Sequence, residues 1–231
     1  MQVPAGLQEH ALIHFIYLHG FASSPQSSKA VFLSNRLAYH GFTLYCPDLN
    51  KPEFSTLTTT RMINQTREMI RRLPPAPIVL IGSSLGAFVA LHVAGQAEPG
   101  TDSPIERLVL LAPAFDFGAN RMRELGDDGL IRWRERGWLE MDHHAYGKRC
   151  RVHYELYSDA RQYSSFAVTV DIPTLIIQGR LDKLVEPAMV ERFAASRPHV
   201  KLVMLDDGHQ LKASFDRVWS EIKVFLELDK A

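Results

Sequence analysis

Cysteine is scarce in this 231-residue chain, where Cys46 and Cys150 are the only two. Two thiols cannot build a disulfide framework, and they lack the paired spacing of a structural zinc site. Stability must therefore come from packing, and a reducing compartment fits. An excess of charge is also missing. Lys and Arg number 26 and Asp and Glu number 26, so there is no electrostatic footprint for DNA, RNA or anionic lipid. Long apolar runs are absent too: the stretch Ala11 to Leu18 is eight residues, against the roughly 20 that span a bilayer. Met1 to Ala11 carries no basic n-region and no small-residue cleavage site. These absences predict a cytoplasmic protein with neither nucleic-acid nor membrane partners.

What is present is ordinary globular material, 46% hydrophobic and 23% charged, in a length that suits one large domain over residues 1–231. Six short apolar segments punctuate it: Ile13 to Leu18, Phe42 to Cys46, Ile78 to Ile81, Leu108 to Leu111, Thr174 to Gln178 and Val200 to Leu205. Most are continuous runs rather than alternating ones, the pattern of strands covered on both faces. Helical periodicity lies between them, at Ala30, Leu33 and Leu37, and again at Met62, Ile63, Met69, Ile70 and Leu73. Near the C-terminus, Phe215, Val218, Trp219, Ile222, Phe225 and Leu226 mark one face of a docking helix. Strand and helix alternate, so the expected class is α/β, with a mostly parallel sheet flanked by helices.

The interval from Ala114 to Val170 breaks the alternation. It lacks a comparably apolar strand and is rich in Arg, Trp, Tyr and Gly, so it predicts a lid-like insertion over the sheet. Its nine basic residues are matched by nine acidic ones, which makes Arg132, Arg134 and Arg136 a solvated helix face rather than an anion site. Pro74, Pro75 and Pro77 form a rigid loop into the next strand.

The chemistry concentrates at Ile78 to Gly86, an apolar strand running directly into Gly82-Ser83-Ser84-Leu85-Gly86. A serine on a sharp strand-to-helix turn presents its hydroxyl outward, and the flanking glycines admit close backbone approach. Small residues follow at Ala87, Ala90 and Ala94, so the helix can sit close to the sheet with its N-terminal dipole under the site. Gly-x-Ser-x-Gly alone arises readily by chance; the strand before and the small-residue helix after supply the context the motif requires. Ser84 is the candidate nucleophile. A serine hydroxyl needs a base, and the base needs an orienting acid. His209 follows the last strand, where loops at carboxyl ends of a parallel sheet line a site. Asp182 follows the penultimate strand and is the preferred acid, with Asp116 as rival, while Asp206 and Asp207 fit capping and solvation. The Phe21 and Leu85 amides are candidates for an oxyanion hole, and His19 for bracing the Phe21 loop. His10, His40, His92 and His199 are surface or packing histidines. His143 and His144 are adjacent, a poor geometry for sharing a metal, so no metal site is expected.

Tyr17-Leu18-His19-Gly20-Phe21, then Ser23-Ser24-Pro25, Ser27 and Lys29-Ala30, together with Gly82 to Gly86, resemble the YqiA/YcfP-type esterases of the α/β-hydrolase superfamily. The likeness covers the amino-terminal half and, beyond it, mainly the acid and histidine loops. The order Ser84, Asp182, His209 is also the order of that superfamily. The resemblance implies hydrolysis of carboxylic esters through an acyl-enzyme, with thioesters a related class and no cofactor. The longer interval 114–170 sets this chain apart from compact members, and the acid loop around Asp182 and Val185 looks more like that of general α/β-hydrolases, so specificity does not transfer. Ala22, Phe115, Trp133, Trp138, Tyr146 and Tyr154 are candidate pocket walls, although aromatics in an insertion as often form its own core. Two other readings are an acyl-CoA thioesterase or peptidase with the same triad, and a catalytically silent protein that binds a ligand or partner.

Overall fold

The computed structural model describes residues 12–95 and 104–228, so His10 and residues 1–11 lie outside the described residues. Chain order begins with β1 (His14–Leu18), α1 (Ser28–Tyr39), β2 (Leu44–Tyr45), α2 (Thr59–Arg72), β3 (Ile78–Ser83), α3 (Leu85–Ala94) and β4 (Ile105–Leu111). It continues with α4 (Phe117–Arg136), β5 (Trp138–His143), β6 (Lys148–His153), α5 (Glu155–Ala160), β7 (Thr174–Gly179), α6 (Pro187–Ala195), β8 (Val200–Leu205) and α7 (Phe215–Leu226). Six strands form a sheet of order β2-β1-β3-β4-β7-β8, with every pairing parallel.

The continuous apolar runs are explained by two cores, one on each face. Along β1, Ile16 and Leu18 join the first core while Phe15 and Tyr17 join the second. On β4, Leu108 and Leu110 face the first and Val109 and Leu111 the second, so alternate side chains are all buried. Helices α2, α3 and α6 cover the first face, and α1 and α7 the second. Ends are set locally. The Ser27 hydroxyl accepts from the Ala30 N–H at the start of α1, and Thr58 accepts from Arg61 at the start of α2, each worth about 1 kcal/mol. Before β3, the His14 imidazole donates to the Pro74 carbonyl at 2.9 Å and anchors the proline loop.

The interval 114–170 does contain strands. β5 and β6 pair antiparallel in a separate two-stranded sheet, half exposed, so their sequences alternate in polarity rather than running apolar like the sheet strands. Helix α4 is broken at Gly126, whose φ of 65° and ψ of 172° lie outside the helical region. Arg132, Arg134 and Arg136 are exposed on its second half. Trp133 points the other way, is 1% exposed and donates its indole N–H to the Val152 carbonyl at 3.1 Å, tying α4 to the hairpin. Among the described residues no helix is long and apolar enough to cross a membrane.

Candidate active site

β3 ends at Ser83 and α3 begins at Leu85, which leaves one residue to turn the chain. Ser84 does so at φ 54° and ψ −118°, a left-handed backbone that costs about 1–3 kcal/mol in a residue bearing a Cβ. Its conformation is fixed from both sides: the Ser84 N–H donates to the Leu111 carbonyl at 2.9 Å, and its carbonyl accepts from Ala87 and Ala114. The glycines are required by space. A Cβ on Gly86 would lie 2.1 Å from the Leu18 carbonyl oxygen, and one on Gly82 would lie 2.5 Å from the Ala87 Cα. Close contact of β1 and α3 at Gly86 carries the β1 loop to the turn, so that Gly20 abuts the Cβ of Ser84.

Ser84, His209 and Asp182 meet although they lie far apart in sequence. His209 Nε2 is 2.9 Å from Ser84 Oγ, and His209 Nδ1 is 2.8 Å from Asp182 Oδ2. The tautomer follows from the donors. A carboxylate can only accept, so Nδ1 carries the proton, Nε2 is bare, and the serine hydroxyl donates to it. Asp182 is saturated: Oδ2 also accepts from Gln178 Nε2 at 2.9 Å, and Oδ1 accepts the Leu184 and Val185 N–H groups, each at 2.9 Å. Burial alone would raise its pKa, but the His209 hydrogen bond and charge, the Val185 N–H and the Gln178 amide outweigh it. The carboxyl is held below its usual value. β7 and β8 bring the two loops together, and Gly179 admits this because a Cβ there would meet the Asp207 carbonyl oxygen at 2.3 Å.

Asp116 belongs elsewhere. Its Oδ1 accepts the Ser165 N–H at 2.7 Å and its own N–H donates to Ser165 Oγ, closing the entry to α4. Asp206 pairs with Arg180 at the surface, and Asp207 caps Gly208. His19 is buried and bridges two loops, donating from Nδ1 to the Gly20 carbonyl and accepting the Leu49 N–H at Nε2. Burial lowers its pKa and keeps it neutral. Ala22 adopts φ 53°, and its carbonyl accepts the Ala145 N–H at 3.2 Å, so the turn of the β5–β6 hairpin is tied to the Phe21 loop. Leu85 stands at the first turn of α3, where N–H groups have no partner within the helix.

The expected aromatic walls divide. Phe115 is fully buried and stacks on Phe193 at 4.0 Å, Trp133 is in the core, and Tyr154 packs its edge on Trp133. These three pack with the core on the first face of the sheet. Trp138 is half-buried under Arg151, whose guanidinium lies 3.9 Å from the ring centre. Tyr146 is exposed and stacks on buried His143, while His144 points outward. Gln178 escaped sequence reading. The signal was a polar residue closing the otherwise apolar β7 just before Gly179.

The model of UPF0227, described as an uncharacterised protein family, matches residues 14–227. The chain belongs to that family. A candidate hydrolase from Agrobacterium vitis S4 is 24% identical with a TM-score of 0.83, covering 96% of this chain and 90% of that one. Est1E from Butyrivibrio proteoclasticus, solved with ferulic acid bound, is 20% identical with a TM-score of 0.77, covering 96% and 91%. Alpha/beta hydrolase domain-containing protein 10 from mouse is 19% identical with a TM-score of 0.76, covering 93% and 89%. At these identities the likeness establishes the α/β-hydrolase fold. No curated protein matches the sequence.

Proposed function

We propose that this protein is a serine hydrolase that cleaves carboxylic esters through an acyl-enzyme intermediate. The observation that carries the reading is the hydrogen-bonded chain from Ser84 through His209 to Asp182, at 2.9 and 2.8 Å. Ser84 Oγ attacks the acyl carbonyl as its proton passes to His209 Nε2. Asp182 fixes the tautomer and stabilises the imidazolium. The Phe21 and Leu85 amides receive the oxyanion, each such donor being worth about 3 kcal/mol. His209 then returns its proton to the departing alcohol, and a water activated by His209 releases the acid. Every proton moves among Ser84, His209, water and the leaving group, so the sequence balances without a cofactor. The Ala145 N–H ties the turn of the β5–β6 hairpin to the Phe21–Ala22 loop that carries one of these donors. A structural relative from the lipolytic enzymes LipS and LipT, 18% identical with a TM-score of 0.67, supports an ester substrate for this chain.

The test is hydrolysis of p-nitrophenyl esters from acetate to palmitate by the wild type and Ser84→Ala, with a fluorophosphonate probe located by mass spectrometry. Expected are labelling at Ser84 and a fall in kcat of at least about a thousand-fold in the variant. A folded wild type that neither labels nor turns over would leave a silent binding protein as the better reading.

A further inference from the structure

Beneath the nucleophile, on the face of the sheet covered by α1 and α7, lies a buried cation that the triad does not use. Lys29 is 7% exposed and its ammonium donates to Ser83 Oγ at 2.9 Å. Its stem lies beside Phe32, Leu111, Leu211, Phe215 and Val218, around a recess with no room for a water. Tyr17, 1% exposed, lies close to Ser83 and Ser27, and burial pushes its pKa up to about 12, so it stays neutral. The charges facing Lys29 are Asp182 and Asp207 from the loops after β7 and β8, and Lys212 ahead of α7. Asp207 Oδ2 is buried with no hydrogen-bond partner.

Such a site is poor economy for stability alone. One hydrogen bond to a neutral hydroxyl does not offset removal of an ammonium from water, and a methionine would occupy the same apolar stem position without that cost. The placement has a chemical use instead. Two carboxylates, Asp182 and Asp207, stand behind a reaction that develops an oxyanion, and their field opposes it. We propose that Lys29 is a positioning residue of the Ser84 site, whose charge offsets these two carboxylates while its donor holds Ser83 under the turning serine. The inference rests on the hydrolase reading above. With the cation present, the field of the two carboxylates is offset and the developing oxyanion is not repelled. Burial first, and the nearby Lys212, lower the Lys29 pKa to about 8, against the raising influence of Asp182 and Asp207. The compensating charge is therefore lost in mildly alkaline solution.

The experiment is the pH dependence of kcat/KM for wild type, Lys29→Met and Lys29→Gln, with thermal unfolding of each. Lys29→Gln keeps a donor for Ser83 and removes the charge; Lys29→Met removes both. The wild type should lose activity through an inflection near pH 8. Both variants should lack that inflection, move the acid limb to higher pH, and fall roughly ten-fold in kcat/KM at neutral pH, more for Met than for Gln. A purely structural lysine would lower the melting temperature and leave both limbs in place, which overturns the proposal. Should the Met variant not fold, the Gln profile decides, and a wild-type profile flat from pH 7 to 10 refutes it without any variant. If the wild type neither labels at Ser84 nor turns over, the hydrolase reading fails and this inference falls with it; normal labelling with coincident profiles defeats the lysine role alone.

Discussion

Asp182→Asn removes one charge and almost no volume, and the hydrogen bonds around the side chain dictate how the amide must sit. Oδ1 faces two backbone donors, from Leu184 and Val185, so the amide oxygen takes that position. The amide nitrogen is then left facing Gln178 Nε2 and His209 Nδ1, both donors in the native state. The imidazole can relieve the conflict by moving its proton from Nδ1 to Nε2. A protonated Nε2 cannot accept from Ser84, so the base is disabled with its geometry intact. A tautomer error of this kind costs roughly 10⁴ in kcat, about 5 kcal/mol of transition-state stabilisation. Asp182→Ala leaves the ring untied but free to hold either tautomer, and should be no more damaged than the asparagine variant. The assay is p-nitrophenyl acetate turnover with fluorophosphonate labelling rates, supported by nitrogen NMR of the His209 ring. Retention of more than about a tenth of wild-type kcat by Asp182→Asn would refute the reasoning. The depressed carboxyl pKa adds a stability signature. Its contribution is present above the ordinary carboxylate range and lost as pH falls through the folded-state value, so the variant's acid unfolding should be less steep than that of the wild type.

Two further outcomes follow from packing. A Cβ at Gly86 would meet backbone atoms of Leu18 at 2.1 and 2.6 Å, whereas Gly41, at φ 80°, has nothing within 4 Å of a built Cβ. Gly86→Ala should lose about 3 kcal/mol or more in urea unfolding, and Gly41→Ala only about 1, so equal losses would disprove the close approach of β1 and α3. His92 is buried between Phe88 and Tyr163 with Nε2 unpartnered, and burial pushes its pKa down from 6.5 to about 4. The unfolded chain takes up this proton first, so stability falls by up to about 3 kcal/mol as pH drops from ~6.5 to ~4. His92→Phe should gain melting temperature over the wild type progressively on acidification, and parallel curves would contradict this.

Much of the architecture was legible because a strand covered on both faces must be apolar throughout. The runs at Ile78 and Leu108 announced β3 and β4, and the C-terminal stripe announced α7. β2 is shorter than its apolar segment because it sits at the sheet edge and pairs only through Leu44 and Tyr45. The β5–β6 hairpin escaped notice because its strands, half exposed, alternate in polarity. Phe115 and Trp133 offered no way to distinguish a pocket wall from a core residue, since an aromatic side chain is equally suited to either.

Local sequence determined the turning serine, since the Gly82 to Gly86 pentapeptide between an apolar strand and a small-residue helix is a condition of backbone geometry alone. It also set the parallel sheet and hence the end of the sheet at which loops gather. Tertiary structure decided which acid reaches His209, because Asp116 and Asp182 both follow strands and differ only in where β4 and β7 deliver them. It decided as well that Lys29 and Ser83, 54 residues apart, share a hydrogen bond beside Ser84. Contacts across the sheet depend on strand order, and strand order is fixed by how all six strands pack together rather than by any one segment.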